Sequence, residues 1–253
     1  MTGYRKHDHA NSFGAVAAEY DAARPSYPAE LFDRLEELTG RPLKDAEVLD
    51  VGAGTGIATR LLAARGARVT AVEPSPGMAA RLREVSPELP LVKGTGDELP
   101  FHDGTVDLIT YAQAFHWTDP TRSVPEALRV LRPGGSLATW WNVKDSSVPW
   151  VRAMGERLAA ALPSYRHQDS PAELTTELAR HGLPTASALL HWERRIDLRV
   201  LLDDLLSRSY FAVLPPERRE PVLAAERAAL LADFPDGQVT EPYTLHLTVL
   251  RKQ

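Results

Sequence analysis

Asp50-Val51-Gly52-Ala53-Gly54-Thr55-Gly56 stands between an apolar run and a helix-like segment. Its glycines let the backbone turn sharply and let a ligand approach with no Cβ in the way. The start of the next helix adds N–H groups that have no intrahelical partner. Glu73 follows 21 residues after Gly52, at the end of a second apolar run. A carboxylate there can accept hydrogen bonds from both hydroxyls of a ribose. The two features together describe a nucleoside site at the switch point of a doubly wound sheet. The spacing is G-x-G-x-G, whereas G-x-G-x-x-G is the pattern that seats a diphosphate on a helix N-terminus. Asp50, just before the glycines, is badly placed for a diphosphate and suits an ammonium or a bound water. The pattern favours a cationic, amino-acid-bearing nucleoside, and an NAD-linked oxidoreductase is the disfavoured alternative.

A second group of candidates ends the later apolar runs. Ala112 and Gln113 close the fourth, at the sheet edge where ligands sit in open α/β folds. His116 and Trp117 follow directly. His116 titrates near neutrality and is either a general base for a hydroxyl acceptor or a wall of the pocket. Trp140, Trp141 and Asn142 end the fifth run, and strand alternation sends the two tryptophans to opposite faces, one into the core and one towards the pocket. Trp150, Tyr165, Tyr210 and Phe211 lie in helical stretches, as core or as the lining of a substrate cavity. The remaining histidines lack ligand spacing, so no metal site is expected. A G-x-S-x-G nucleophile elbow is absent as well.

The elements that must position these residues alternate. Apolar stretches at 47–52, 68–75, 89–95, 105–113 and 136–142 read as strands, and 58–66, 77–86 and 121–131 as helices between them. That rhythm indicates a mostly parallel sheet covered on both faces. Ahead of it, 29–39 has Leu31, Leu35 and Leu38 on one helical face, closed by Gly40, and a short helix is expected at about 12–23. Beyond Asn142 the pattern becomes helical at 149–162, 171–182, 197–210 and 215–232. Strands at 187–196 and 243–251 complete the sheet, with PDGQ at 235–238 as a turn and the last strand antiparallel. The expected organisation is one domain, 1–253. Residues 40–145 form its cofactor-binding core, and 1–30, 149–182 and 197–233 form a helical cap.

The chain has 253 residues, net charge −5, 43% hydrophobic and 25% charged residues, and no cysteine. This composition is that of a globular protein. Thiol nucleophiles, disulfides, Cys-ligated zinc and iron–sulfur clusters are excluded. The mildly acidic balance argues against a nucleic-acid partner. No apolar stretch approaches the roughly 20 residues that cross a bilayer, and the N-terminal segment has no signal-peptide core. A cytoplasmic protein acting on a small molecule, with no membrane partner, is the expectation. The oligomeric state stays open.

The chain resembles the class I S-adenosylmethionine-dependent methyltransferases. Within them it is similar to the branch of trans-aconitate-type and related small-molecule enzymes. The resemblance rests on Tyr20…Arg24-Pro25-Ser26-Tyr27-Pro28, residues 50–56, Val72-Glu73-Pro74-Ser75, Gly94 to Phe101, Ala112 to Trp117 and Leu131 to Gly135. It is dense over residues 10–145 and thins beyond. It implies a Rossmann-like seven-stranded sheet, S-adenosyl-L-methionine as cofactor, and methyl transfer to a small molecule, with a carboxylate or hydroxyl oxygen ahead of nitrogen or carbon. It further implies that Gly52, Ala53 and Gly54 face the methionine part of the cofactor. Glu73 would then hold the ribose, Pro74 and Met78 would pack near the adenine, and Gly96 and Asp97 would sit at the adenine edge. Many relatives carry Ala-Glu at the last two positions. Tyr20 and Arg24 match residues that close over the cofactor, Arg24 at its carboxylate or in a surface ion pair. Tyr27, His116, Trp117, Trp141, Asn142 and Tyr210 are the candidate substrate contacts, and His116 is the candidate catalytic residue. A module that binds the cofactor without turnover is the remaining alternative.

Overall fold

The structure is a computed structural model that describes residues 24–162, 165, 178, 180, 182–212 and 214–253. The helix expected at 12–23, Tyr20, and nearly all of the helix expected at 171–182 lie outside the described residues. Helix α1 spans Ala29–Thr39 and ends on Gly40 in the left-handed conformation, a geometry that glycine adopts without a Cβ penalty. The alternating core follows as β1 (Glu47–Val51), α2 (Ile57–Ala64), β2 (Arg68–Val72), α3 (Pro76–Val85), β3 (Leu91–Val92), β4 (Val106–Ala112), α4 (Pro120–Val130) and β5 (Leu131–Lys144). After it come α5 (Pro149–Ala161), β6 (Thr185–Asp197), α6 (Leu198–Leu206), the short α7 (Ser209–Ala212), α8 (Pro216–Asp233) and β7 (Gln238–Arg251). Asp197 caps α6 by accepting from the Arg199 N–H.

The seven strands form one sheet in the order β3-β2-β1-β4-β5-β7-β6. Strands β1 to β5 pair in parallel, and β7 runs antiparallel to both β5 and β6. The mixed Rossmann-like sheet with an antiparallel last strand is therefore present. Strand order reverses at β1 and β4, so ligands are expected over the ends of these two strands. Helices α1 and α2 cover one face through Leu31, Phe32, Ala58 and Leu62, against Leu245 and Leu247. Helix α4 covers the other through Val124 and Ala127, against Ile109 and Leu137. A third apolar cluster joins α5, α6 and α8 through Leu158, Leu201, Leu205 and Leu230.

Strand lengths differ from the sequence reading in both directions. β2 stops at Val72, where its five-residue pairing with β1 ends, and β3 at the sheet margin holds only the two residues that pair with β2. β7 starts at Gln238 rather than 243. Pro242 hides that start, since proline lacks the ladder donor, yet its carbonyl still accepts from Asp145. Residues 131–135, ahead of the strand expected at 136–142, also lie within β5, where the pairing with β4 shifts register between Val106 and Leu108.

Candidate functional site

The glycine loop leaves β1 and enters α2. Gly52, Gly54 and Gly56 all have positive φ. A Cβ on Gly52 would lie 2.6 Å from the Ala114 Cβ, so the loops after β1 and β4 touch there and leave no room for a side chain. A Cβ on Gly54 would meet nothing within 4 Å, so that side of the loop is open. The loop amides are turned inward. Gly52 and Ala53 donate to the Val72 carbonyl, Gly56 donates to Ala53, and Gly54 donates to the Glu73 carboxylate at 2.8 Å. None of these four N–H groups is left for a diphosphate.

Glu73 closes β2. Its second oxygen accepts from the Ser75 N–H at 2.7 Å. The carboxylate thus bridges the glycine loop and the start of α3, and burial raises its pKa against these two hydrogen bonds. A carboxylate offers about four acceptor sites, so two remain for ribose hydroxyls. Pro74 is half-buried beside it and Met78 is buried on α3.

Asp50 lies beneath the loop and is fully buried. Its oxygens accept from Thr59 at 2.7 Å and Thr110 at 2.9 Å. Burial pushes its carboxyl up to about 6, although the two hydroxyls lower it. Whatever ammonium or water approaches Asp50 meets a carboxylate already held by two threonines. Sequence reading did not single these out, because a threonine inside a strand or helix carries no motif.

Gly96 and Asp97 follow β3. A Cβ on Gly96 would lie 2.7 Å from the Tyr111 hydroxyl and 2.8 Å from Thr118 Cγ2, which explains glycine in place of alanine. The Asp97 carboxylate accepts from the Asp119 N–H at 2.9 Å, and Asp119 caps α4. The shorter acid thus braces the loop beyond His116.

Past β4, Gln113 adopts φ 55, an uncommon conformation for a residue with a side chain. Its N–H is held by the Trp140 carbonyl, and the turn it makes brings Ala114 under Gly52. Its side-chain amide donates to the Tyr27 hydroxyl at 3.5 Å. Ala112, at the end of β4, is half-buried against the core. His116 and Trp117 sit in a 3₁₀ turn, with ring centres 4.8 Å apart. The Trp141 indole N–H donates to His116 Nδ1 at 3.5 Å. In a neutral imidazole, an acceptor Nδ1 leaves the proton on Nε2.

The two tryptophans do alternate. Trp140 is buried on the α1 face, where Tyr27 meets it edge-on at 5.8 Å. Trp141 faces the opposite cluster and His116. Asn142 is engaged at both ends. It donates to the Ser26 carbonyl at 3.1 Å and accepts from the Trp192 indole at 2.9 Å. The Arg24 Nε lies 3.6 Å from Asp204 of α6. Tyr210 packs against Tyr165 and Phe211 in the third cluster, and burial pushes its phenol up to about 12.

The loop, Glu73, Gln113, Tyr27 and His116 therefore gather over the ends of β1, β2 and β4, while Arg24 and Tyr210 stand towards the helices that follow β6. Missing from the sequence reading are Lys144, Asp204, Arg208, Glu241 and Tyr243, which meet near Arg24. Their signal was present in the periodicity. Glu241 and Tyr243 occupy the same alternating face as Leu245 and Leu247. Asp204 sits on the buried stripe of Leu198, Leu201 and Leu205. Among the described residues no group of three His, Cys, Asp or Glu could hold a metal ion, and no helix is long and apolar enough to cross a membrane.

The methyltransferase domain family matches residues 49–139, from β1 to β5. An uncharacterized methyltransferase of Mycobacterium tuberculosis is 39% identical over 235 residues, which cover 93% of this chain and 91% of that protein. An uncharacterized methyltransferase-like protein of Schizosaccharomyces pombe is 33% identical, with 92% of this chain and 91% of that protein covered. A solved structure from Anaeromyxobacter dehalogenans, assigned to the type II methyltransferases, superposes with a TM-score of 0.68 at 26% identity, covering 91% of this chain and 97% of that one. The chain belongs to the class I S-adenosylmethionine-dependent methyltransferases.

Proposed function

We propose that the chain transfers a methyl group from S-adenosylmethionine to an oxygen of a small molecule, a carboxylate ahead of a hydroxyl. The cofactor reading is carried by the Glu73 bridge. A nearly buried carboxylate spans the open glycine loop and the start of α3 with two acceptor sites to spare. In this reading Glu73 takes the ribose hydroxyls, Gly52 to Gly54 flank the methionine part, and Pro74, Met78, Gly96 and Asp97 border the adenine. Asp50 braces the loop from below, and Ala112 and Gln113 form the floor under the transfer point. Tyr20 and Arg24 close the site from the N-terminal segment.

S-adenosylmethionine supplies a methyl group on a sulfonium that is its own leaving group. The protein's share is proximity, alignment and exclusion of water. The bond from Trp141 to His116 supports the preference for a carboxylate. With Nδ1 accepting, a neutral His116 keeps its proton on Nε2, and in that form the ring is unfit to remove a proton from a substrate. A carboxylate needs no base, whereas a hydroxyl benefits from one. Tyr27, Trp117, Trp141, Asn142 and Tyr210 complete the proposed wall, and the segments at 1–30, 149–182 and 197–233 the proposed cap of a single domain.

Titration with S-adenosylhomocysteine tests the cofactor half. We expect binding, and Glu73→Ala to weaken it by about 1–3 kcal/mol, the scale of hydrogen bonds to a charged group. No binding to the parent chain would end the reading. Incubation with methyl-labelled cofactor and an extract of small metabolites tests the other half. A carboxylate acceptor gives an ester whose label returns as methanol in mild base, whereas base-stable label points to a methyl ether on a hydroxyl, or to nitrogen or carbon. Tight binding with no labelled product would make the chain a non-catalytic module. His116→Ala should lower turnover more than it lowers cofactor affinity.

A further inference from the structure

Where β5 runs out beside β7, a second polar centre lies among the strand ends and α6. Two fully buried carboxylates form its base, Asp204 and Glu241. Lys144 donates to Glu241 and stands 3.7 Å from Asp204. Arg194 bonds Glu241 at 2.7 Å, Arg208 bonds Asp204 at 2.8 Å, and Arg24 approaches Asp204 to 3.6 Å. Four cationic side chains thus face two acids. Arg24 and Arg194 have further interactions of their own. Two other groups carry unused donors.

The first is Arg208. Its guanidinium carries five N–H donors, and one of them goes to Asp204. The others meet no acceptor among the described residues, although the side chain is only 12% exposed. A planar fork with donors to spare is the arrangement that grips a carboxylate or phosphate in bidentate fashion. The second is the Tyr243 hydroxyl, buried without any hydrogen-bond partner. Lys144 and Arg194 both lie over its ring, each 5.9 Å from the centre. A buried donor with no acceptor is destabilising by itself. A purely structural ion network would not need it, and phenylalanine would fill the same space.

We propose that this centre is a receptor for an anionic group of the methyl acceptor, a carboxylate or a phosphate, gripped by the Arg208 fork and the Tyr243 hydroxyl. The proposal rests on the methyltransferase reading above and adds the charge of the substrate to it. Its place suits that task. Lys144 lies two residues beyond Asn142 on the same face of β5, about 7 Å along the strand. Asn142 in turn holds Ser26, two residues from Arg24. An acceptor anchored here by one acidic group would present another part of itself towards His116 and the glycine loop.

The test uses the full chain saturated with S-adenosylhomocysteine. Acetate, succinate, citrate and inorganic phosphate are titrated against it, with triethyl citrate as the uncharged control. At least one anion should bind and the ester should not. Preference for the carboxylates assigns the site to an organic acid, and preference for phosphate assigns it to a phosphorylated acceptor. Tyr243→Phe should weaken the bound anion about fivefold or more and leave the melting temperature unchanged or raised, since it removes an unpartnered hydroxyl. Arg208→Lys keeps the charge, loses the fork, and should weaken the anion about tenfold. If no anion binds while S-adenosylhomocysteine binds normally, or if Tyr243→Phe binds anions as the parent does, the receptor is refuted and the methyltransferase reading stands. Failure of S-adenosylhomocysteine itself to bind the parent refutes that reading instead.

Discussion

Two pairs of buried carboxylates lie near the same sheet rim, and they are satisfied in opposite ways. Asp50 and Glu73, around the glycine loop, accept from neutral donors: the Thr59 and Thr110 hydroxyls and the backbone N–H groups of Thr59, Gly54 and Ser75. Burial wins there, and both groups are raised, Asp50 to about 6. For Asp204 and Glu241 burial also pushes upward. Arg208, Lys144 and Arg24 around Asp204, and Lys144 and Arg194 around Glu241, overturn it and hold both acids below their ordinary range. Neutral donors leave a carboxylate with unused acceptor capacity, which suits a place where hydroxyls and an ammonium are to be received. Charged donors hold both acids in the ionised form and outnumber them, although Asp204 Oδ1 itself has no hydrogen-bond partner.

Asp204→Ala should have the largest effect on this contrast. It leaves Arg208, Lys144 and Arg24 around an empty place, and breaking a buried ion pair from one side costs about 3–5 kcal/mol. Denaturant unfolding at pH 7 measures it. The pH dependence has a definite sign. A lowered carboxylate contributes stability that is present above its unfolded value and is lost as pH falls through its folded value. The parent's Asp204 contribution should therefore fade below about pH 4, and with it the difference between parent and variant. A difference that stays constant into acid would mean that the cations do not depend on this carboxylate.

The glycine-loop pair should run the other way. A raised carboxylate contributes stability in its protonated form, and that contribution is lost as pH rises from the ordinary range towards 6. Asp50→Asn carries no charge at any pH. Its stability relative to the parent should rise by about 3 kcal/mol between pH 4 and pH 8. Urea midpoints across that range give the number. A flat difference would show that Asp50 is not held in an unfavourable charged state, and the contrast between the two regions would collapse.

The two regions also differ in how much of them could be read from the chain. Asp50, the glycines and Glu73 are close in sequence, and each sits where a strand ends, so period and motif place them from the sequence alone. The sheet was legible for the same reason, since short apolar runs between helices leave few topologies. The second region gathers residues 24, 144, 194, 204, 208, 241 and 243, which no local pattern connects. It depends on β7 lying between β5 and β6, with Lys144 opposite Tyr243 and Arg194 opposite Glu241. That register is a property of the assembled sheet, and Pro242 disguised the strand that carries it. Gly96 was visible as a departure from the family pattern, but its cause, the Tyr111 hydroxyl, needed the third dimension.

Thr110→Val makes the smallest of these changes and tests the neutral side of the contrast most directly. Threonine and valine have nearly the same shape, so the β4 core stays filled while one hydroxyl leaves Asp50. Removing one partner from a buried acceptor costs about 1–3 kcal/mol, and the low end is expected because Thr59 still bonds the other oxygen. The lost bond favoured the charged form. Valine should therefore push Asp50 further up, and its cost should shrink as the solution is acidified towards pH 5 and the carboxyl takes a proton. Moderate salt should leave the cost unchanged, because no ion pair is involved, whereas changes around the partly exposed cations of the other region should respond to it. Equal costs at pH 5 and pH 8 would mean that the threonine packs against Asp50 without sharing its charge.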